Sequence, residues 1–398
     1  MRGKSIWRTW LLCLWAVLMP GVAFSQDGSP GYAPPDLPFP LPPGSTRPEA
    51  GGFFTWGDYV MFRQTNPISG QTVAVRGFIV VDDSVGGPGT AGTYVGSRSE
   101  ALNVAQVGGP NSHTPGYVIG LGYQFCDGSS LSVDYLNLNT NETRAAATLV
   151  PAGLLVGSNF SESFVTAFVF NFPNTYAGPP NNLNVGNPGA TYGIWNAASV
   201  MELQFEQRAS QFQITYRKPI VDQENYRLSG LVGPRFFWIW ERFKWRTVGE
   251  DVFGNATAED VAIYTNIVSN RMYGLHLGCR NEWYLGDGFA CQLDLGGSLF
   301  FDSVKERAKY ELGSRFLGPQ NKRSRRVYSF VPEVEARLSL VWFPTEAIQV
   351  YAGYNLLAFF NTVASPEPID FNFGAVNPHF EKVFRLFDGI NAGIIINF

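Results

Sequence analysis

Ten stretches of this chain alternate apolar with polar or small side chains, and the connections between them alternate in length. The stretches begin at Phe53, Tyr117, Leu131, Met201, Tyr226, Tyr273, Phe289, Tyr328, Ile348 and Phe384. The connections read long (65–115), short (127–128), long (139–198), short (219–225), long (249–269), short (286–288), long (309–324), short (344–345) and long (363–383). A strand throws successive side chains to opposite faces, so each stretch has one apolar face. Consecutive antiparallel strands reverse at opposite ends, so one end receives only tight turns and the other only long loops. A soluble sandwich has no reason to sort its loops this way. An antiparallel up-and-down β-barrel that crosses a membrane does, with an even strand count, short periplasmic turns and long extracellular loops. Ten strands are expected, with twelve as the alternative.

The faces are chemically distinct. Tyr117, Ile119, Leu121, Tyr123 and Phe125 alternate with Val118, Gly120, Gly122 and Gln124, before an Asp127-Gly128 turn. Leu228, Val232, Phe236, Trp238 and Trp240 oppose Arg235 and Glu241, and Leu338, Leu340 and Trp342 oppose Glu333, Glu335 and Arg337. Between Met201-Leu203-Phe205 and Phe212-Ile214-Tyr216 the apolar phase slips near Ala209, which predicts a bulge. Several runs reach about 15 to 20 residues, where a tilted membrane crossing needs only about 9–11. The strands should therefore project beyond the bilayer. Trp245, Trp283, Tyr284, Trp342 and Phe343 lie near strand ends, as interfacial girdles require. Within 65–115, Val73–Val81 and Tyr94–Val107 read as a hairpin of their own.

Alternation cannot distinguish a water-facing polar side from a lumen-facing one, and here composition enters. Charged residues are 16% and aromatics 15%, against about 25% charged in an average soluble domain. The net charge of −4 argues against a nucleic-acid partner. Arg2, Lys4 and Arg8, an apolar Trp10–Val17 and Ala23-Phe24-Ser25 read as an export signal over 1–25. A proline-rich linker over 26–50 follows, then the barrel over 51–398. No later apolar run is long enough for a transmembrane helix. Cys13 falls in the signal. Cys126, Cys279 and Cys291 lack metal-ligand spacing and read as small side chains on strands.

Four segments carry a family resemblance: FFTWGDYVMFR (53–63), VMELQF (200–205), LSGLVGPRFFWIWERF (228–243) and DGINAGIIINF (388–398). Over roughly residues 51–398 the chain resembles the planctomycete outer-membrane beta-barrel porins of the beta-barrel porin-7 type. It is similar in style to the Legionella-type major outer-membrane protein. The last strand, ending on Phe398, resembles the closing strand of outer-membrane barrels. The resemblance implies an outer-membrane location, a pore role, and Phe398 as a signal to the barrel-assembly machinery. It supplies no substrate, cofactor or catalytic residue.

The expected lumen residues are Arg235, Glu241, Arg280, Glu282, Asp294, Glu333, Glu335 and Arg337. They read either as a charged constriction that selects solutes or as ion pairs filling a narrow barrel. Trp238, Trp240, Leu295, Leu340 and Trp342 are expected to face lipid. Lys322, Arg323, Arg325 and Arg326 read as a solvated loop end or as a site for anionic glycolipid. His113, His276 and His379 are scattered. His276 shares a parity face with Ser298, but no motif links them, so no enzyme is expected, and no cofactor or metal. The expected function is passive passage of small hydrophilic solutes or ions through a charged lumen. The alternative is a plugged barrel acting through loops 65–115 and 139–198, and the third reading is a soluble secreted β-sandwich. Partners follow as outer-membrane lipid, assembly machinery and small solutes.

Overall fold

The alternating runs form long strands. The computed structural model describes residues 52–80, 88–90, 92–108, 113–150, 162–171, 194–223, 225–249, 256, 260–312, 321–345 and 347–398. The expected signal (1–25) and proline-rich linker (26–50) lie outside these residues. In chain order the strands are β1 (Gly52–Gln64), β2 (Thr72–Arg76), β3 (Phe78–Ile79), β4 (Tyr94–Val95), β5 (Glu100–Asn103), β6 (His113–Gln124), β7 (Ser130–Thr148) and β8 (Val165–Thr166). Then come β9 (Val200–Asp222), β10 (Tyr226–Val248), β11 (Val261–Gly286), β12 (Phe289–Leu312), β13 (Asn321–Trp342), β14 (Ile348–Ala364) and β15 (Glu381–Asn397).

Ten of them close into an antiparallel ring in the order β1-β15-β14-β13-β12-β11-β10-β9-β7-β6, with β6 pairing back onto β1. Closure leaves the ring no open edge. The strand count is ten, not twelve, and all ten predicted runs are ring strands. Their lengths exceed the expectation: β11 runs for 26 residues. The long connections are shorter to match, because parts of 249–269 and 309–324 belong to strands.

The parity of the connections holds. β6–β7, β9–β10, β11–β12 and β13–β14 turn tightly at one end, where the N-terminus of β1 and the end of β15 also lie. At the β11–β12 reversal Gly286, Asp287 and Gly288 have φ of 93°, 53° and 77°. These are left-handed conformations that glycine reaches without a Cβ clash. At β6–β7, Asp127 Oδ1 accepts from the Ser129 amide (3.0 Å) and the Ser129 hydroxyl (2.5 Å). These bonds to the Ser129 hydroxyl and amide hold the Asp127 carboxyl below its ordinary range.

The predicted bulge near Ala209 is absent from β9. Its register against β10 is continuous from Gln213 to Val200, with Ala209 opposite Ile239. Along β9, Met201, Leu203, Phe205 and Ala209 are all buried, while Phe212 and Tyr216 are exposed. From Val200 to Pro219 the strand keeps one parity; the surroundings change. In the half near the short turns apolar side chains point out and polar ones point in. In the far half the assignment reverses. β10 repeats this: Phe236, Trp238 and Trp240 point out below Arg242, Lys244 and Arg246, and Arg235 points in below the buried Phe243 and Trp245. A bulge does occur on the neighbouring strand, where Asn139 and Thr140 of β7 span the register step between Leu138 and Asn141.

Two bands of outward aromatics bound the apolar belt. The far band includes the pairs Tyr117–Tyr135, Phe236–Tyr273 (4.9 Å), Phe301–Tyr328 (5.4 Å) and Phe360–Phe384 (5.2 Å). The near band includes Phe53–Tyr123 (4.9 Å), Tyr226–Trp283 (5.9 Å) and Phe289–Trp342 (6.4 Å). The 12-residue step from Phe289 to Phe301 rises about 30 Å at ~3.3 Å per residue and ~40° tilt, a hydrocarbon thickness. Between the bands Leu275, Leu277 and Leu299 are 64%, 63% and 60% exposed. A continuous apolar belt of that exposure is a lipid surface. Of the five predicted girdle residues only Trp283 and Trp342 lie in a band. Trp245 is 0% exposed inside the far half, and Tyr284 and Phe343 pack inside the near rim. Proximity to a strand end did not determine which face they occupy.

The inserts fold on themselves and into the far mouth. β5, β2 and β8 form a three-stranded sheet, and β3 pairs with β4. The predicted loop hairpin is thus present, and a strand from the 139–198 insert extends it. Val73, Leu102, Val165 and Trp195 of these inserts share one apolar core with the wall residues Met201, Phe205, Trp245, Tyr264 and Tyr310. Trp195 meets Trp245 edge-on at 4.3 Å and Phe373 at 5.0 Å.

Candidate functional site

The lumen holds the charges, and the strand parity that sends apolar groups to lipid sends these groups inward. All eight predicted lumen residues lie on inward positions of β10, β11, β12 and β13. The structure brings most of them into paired groups. Nearest the short turns, Arg280 holds Asp294 through two bonds of 2.8 Å, and Gln292 also donates to Asp294. Higher, Arg235 bridges Glu333 (3.2 Å) and Glu335 (2.9 Å), while its Nε donates to Gln213 (2.6 Å). His276 Nε2 lies 3.3 Å from Glu335, directly across from Ser298, and Ser298 accepts from Arg235 at 3.3 Å. Arg337 reaches Asp58 at 3.4 Å and stacks on the Tyr351 ring at 5.0 Å, and the Tyr351 hydroxyl donates to Asp58. Glu282 points inward across from Gln292. Glu241 lies apart from these groups, farther up the barrel, where both Arg385 terminal nitrogens clasp it and Gln207 donates to it at 2.9 Å.

Small residues make room for these groups. A Cβ at Gly296 would sit 2.7 Å from His276 Cε1 and 2.8 Å from Glu335 Oε1, and one at Gly393 would collide with Asp58 Oδ1. On β6, Gly120 and Gly122 lie under the rings of Trp56 and Phe54, where a Cβ would run into the ring carbons. This explains the glycine face of that strand.

Between the lower charges and the Glu241–Arg385 pair, the lumen is crossed by an apolar layer. Val60, Phe62, Leu136, Leu138, Ala209, Phe237, Ile239, Met272, Phe300, Val331, Leu357, Phe359 and Phe387 form one buried cluster, with Val118 packed against it. Every ring strand contributes. The ring centroids of Phe237 and Phe359 are 4.7 Å apart, those of Phe359 and Phe387 5.7 Å. Below the layer a cavity of about 280 Å³ runs toward the short-turn end, past Asp58, Arg235, Arg280 and Arg337 to Gln124, Gly128 and Asn397.

Sequence reasoning missed this layer and the partners Asp58, Gln213, Tyr351 and Arg385. A signal was available. Phe236-Phe237-Trp238-Ile239-Trp240, Leu299-Phe300-Phe301 and Leu356-Leu357-Ala358-Phe359-Phe360 are unbroken apolar runs. An unbroken run inside an alternating strand means that both faces are apolar at one height.

The predicted lipid-facing residues Trp238, Trp240, Leu295, Leu340 and Trp342 all occupy outward positions. Cys279 and Cys291 are outward on β11 and β12, and Cys126 is exposed in a turn. Asp388 is an outward acid, paired with Arg63 (3.1 and 3.0 Å) and accepting a hydrogen bond from the Tyr354 hydroxyl. Among the described residues no group of three His, Cys, Asp or Glu is placed to hold a metal ion.

The profile of the family described as Legionella pneumophila major outer membrane protein precursor matches residues 91–378. No curated protein matches the chain. Among solved structures, the outer membrane protease OmpT from Escherichia coli is similar at 10% identity, covering 87% of this chain and 97% of that one, with a TM-score of 0.37. A major outer membrane protein from Thermus thermophilus is similar at 10% identity, over 88% and 100%, with a TM-score of 0.31. A Pseudomonas aeruginosa FadL homologue is similar at 7% identity, over 88% and 90%, with a TM-score of 0.25.

Proposed function

From the premise that the chain belongs to the Legionella pneumophila major outer membrane protein family, and is an outer-membrane β-barrel, we propose that it is a non-enzymatic barrel. Its lumen is closed at rest, and it acts through the structured surface its inserts present outside the cell. The observation that carries this reading is the apolar layer to which all ten ring strands contribute. Ions lose their hydration there and gain nothing in return, and a dry apolar constriction blocks conduction without a physical lid. The paired charges beneath it support the same reading. Arg235, Arg280 and Arg337 are each bound to carboxylates, as befits a wall brace rather than a free selectivity ring.

A second reading is favoured by one observation, the polar cavity that runs from the layer to the short-turn end. In that reading the layer parts and small hydrophilic solutes pass, with Glu335 and Arg337 facing their path.

Conductance in a planar bilayer separates the two, once a heat-modifiable gel shift has established a folded barrel. The folded protein is expected to insert silently, and the double substitution Phe237→Ala with Phe359→Ala to produce discrete steps. Steps from the unaltered protein would overturn the closed-lumen reading. Charge reversal at Glu335 or Arg337 would then be expected to change ion preference.

A further inference from the structure

The outward face of β12 and β13 changes character just above the far aromatic band. Phe301 and Tyr328 stack there at 5.4 Å. The next outward position on β13 is Arg326, two residues or about 7 Å along the strand. Arg326 lies directly across from Lys305, and farther up Lys309 lies directly across from Lys322. Directly opposed like charges repel, because their Cβ atoms are only about 5 Å apart. Two such pairs stack on one face, with Arg307 between them.

An acid reaches only the upper pair. Glu311 reaches Lys309 at 2.5 Å, and Glu306 is taken by Arg325 at 2.8 Å on the other parity. Among the described residues Lys305, Arg307 and Arg326 have no carboxylate partner. Arg307 Nε is moreover buried without an acceptor. The place is also telling. The lipid-facing belt ends at the aromatic band, so these cations stand at the level of the outer-leaflet headgroups, on the face that lipid covers.

We propose that this face binds the phosphate groups of an anionic outer-leaflet glycolipid. Lys305 and Arg326 would flank one phosphate, and Arg307 would contribute a further charge-assisted bond. Phosphate oxygens accept several such bonds at once, and the guanidinium fork matches their geometry. An anion between Lys305 and Arg326 turns their repulsion into shared attraction. The acyl chains of the same molecule would lie against Phe301, Phe330 and the leucines below.

The test uses the full chain, refolded in zwitterionic micelles, with diphosphorylated lipid A as the probe. Lipid retention is read by native mass spectrometry and stabilisation by the midpoint of the heat-modifiable gel shift. The expected result is retention of diphosphorylated lipid A by the unaltered protein, and at least tenfold weaker retention by K305Q with R326Q. Lipid A stripped of phosphate should be retained weakly by both. Without lipid the double variant should fold as well as the unaltered protein, since it loses a repulsion. R307Q alone should lower retention to a smaller degree and covers the case in which the double variant fails to fold. Equal retention by the unaltered and substituted proteins would overturn the proposal. So would inorganic pyrophosphate raising the midpoint as far as the lipid does, because the ligand would then be a soluble anion.

Discussion

The two halves of the barrel wall share strands but invert each other. Near the short turns the wall is apolar outside and polar inside: Leu340, Leu277 and Leu299 face out, Arg337, Arg280 and Asp294 face in. Beyond the far aromatic band Lys244, Arg246 and Lys305 face out, while Trp245, Tyr264 and Tyr310 face in. One half is built for hydrocarbon outside and partial hydration within. The other is built like a water-soluble domain, its core completed by inserts. The difference teaches that strand parity is fixed by geometry, whereas the meaning of each parity is set by the medium at that height.

The pair clasped in the far half gives the largest expected effect. Arg385 is 0% and Glu241 3% exposed, and removing one partner strands the other charge away from water. R385A should cost about 3–5 kcal/mol, and replacing both with leucine should recover much of it. Urea unfolding in vesicles measures this, and an unchanged R385A would mean that water reaches Glu241 freely. Next comes a charge on the lipid face. Leu277→Arg or Leu295→Arg, midway between the two aromatic bands, should cost about 2–4 kcal/mol and lower the yield of assembled barrel. Normal assembly of both would count against the lipid assignment of the near half. The matched change in the far half should be almost silent. Lys244→Leu replaces an outward, water-facing charge and should alter stability by no more than about 0.5 kcal/mol. A stabilisation as large as a lipid-facing leucine gives would extend the membrane belt upward.

The smallest expectation concerns the turn at Asp127. Its carboxyl is held below its ordinary range by the Ser129 hydroxyl and amide. A depressed acid contributes above its unfolded pKa, near 3.9, and loses its contribution as pH falls through the lower folded value. The Ser129 amide resonance should therefore move only below about pH 4. Movement near neutrality would show that another group governs the turn.

Much of the near half was legible in the sequence. The connection lengths sorted themselves, and the inward set from Arg235 to Arg337 followed from alternation alone. The far half misled for a physical reason. At Ala209 the apolar phase changes sides although the backbone does not, and alternation by itself cannot separate a bulge from a change of medium. The β7 bulge at Asn139–Thr140 falls where the side chains are polar on both faces and the pattern carries no phase. Trp245 went to the wrong face because an aromatic beside a strand end suits a girdle and a mouth core equally. Asp58 and Arg385 pair with residues far away in sequence, a contact that only closure of the ring creates. The loop core around Trp195 draws on three separate inserts, which no local pattern predicts.

The packing of Trp195 against Trp245 and Phe373 has a consequence for handling the protein. A core sealed by the chain itself does not depend on the surrounding amphiphile, whereas the leucine belt has no other partner. Exchanging a long-chain detergent for a short one should therefore loosen the lower wall first and leave the indole fluorescence of the mouth unchanged. The molecule would then come apart in two stages, each reporting a different solvent.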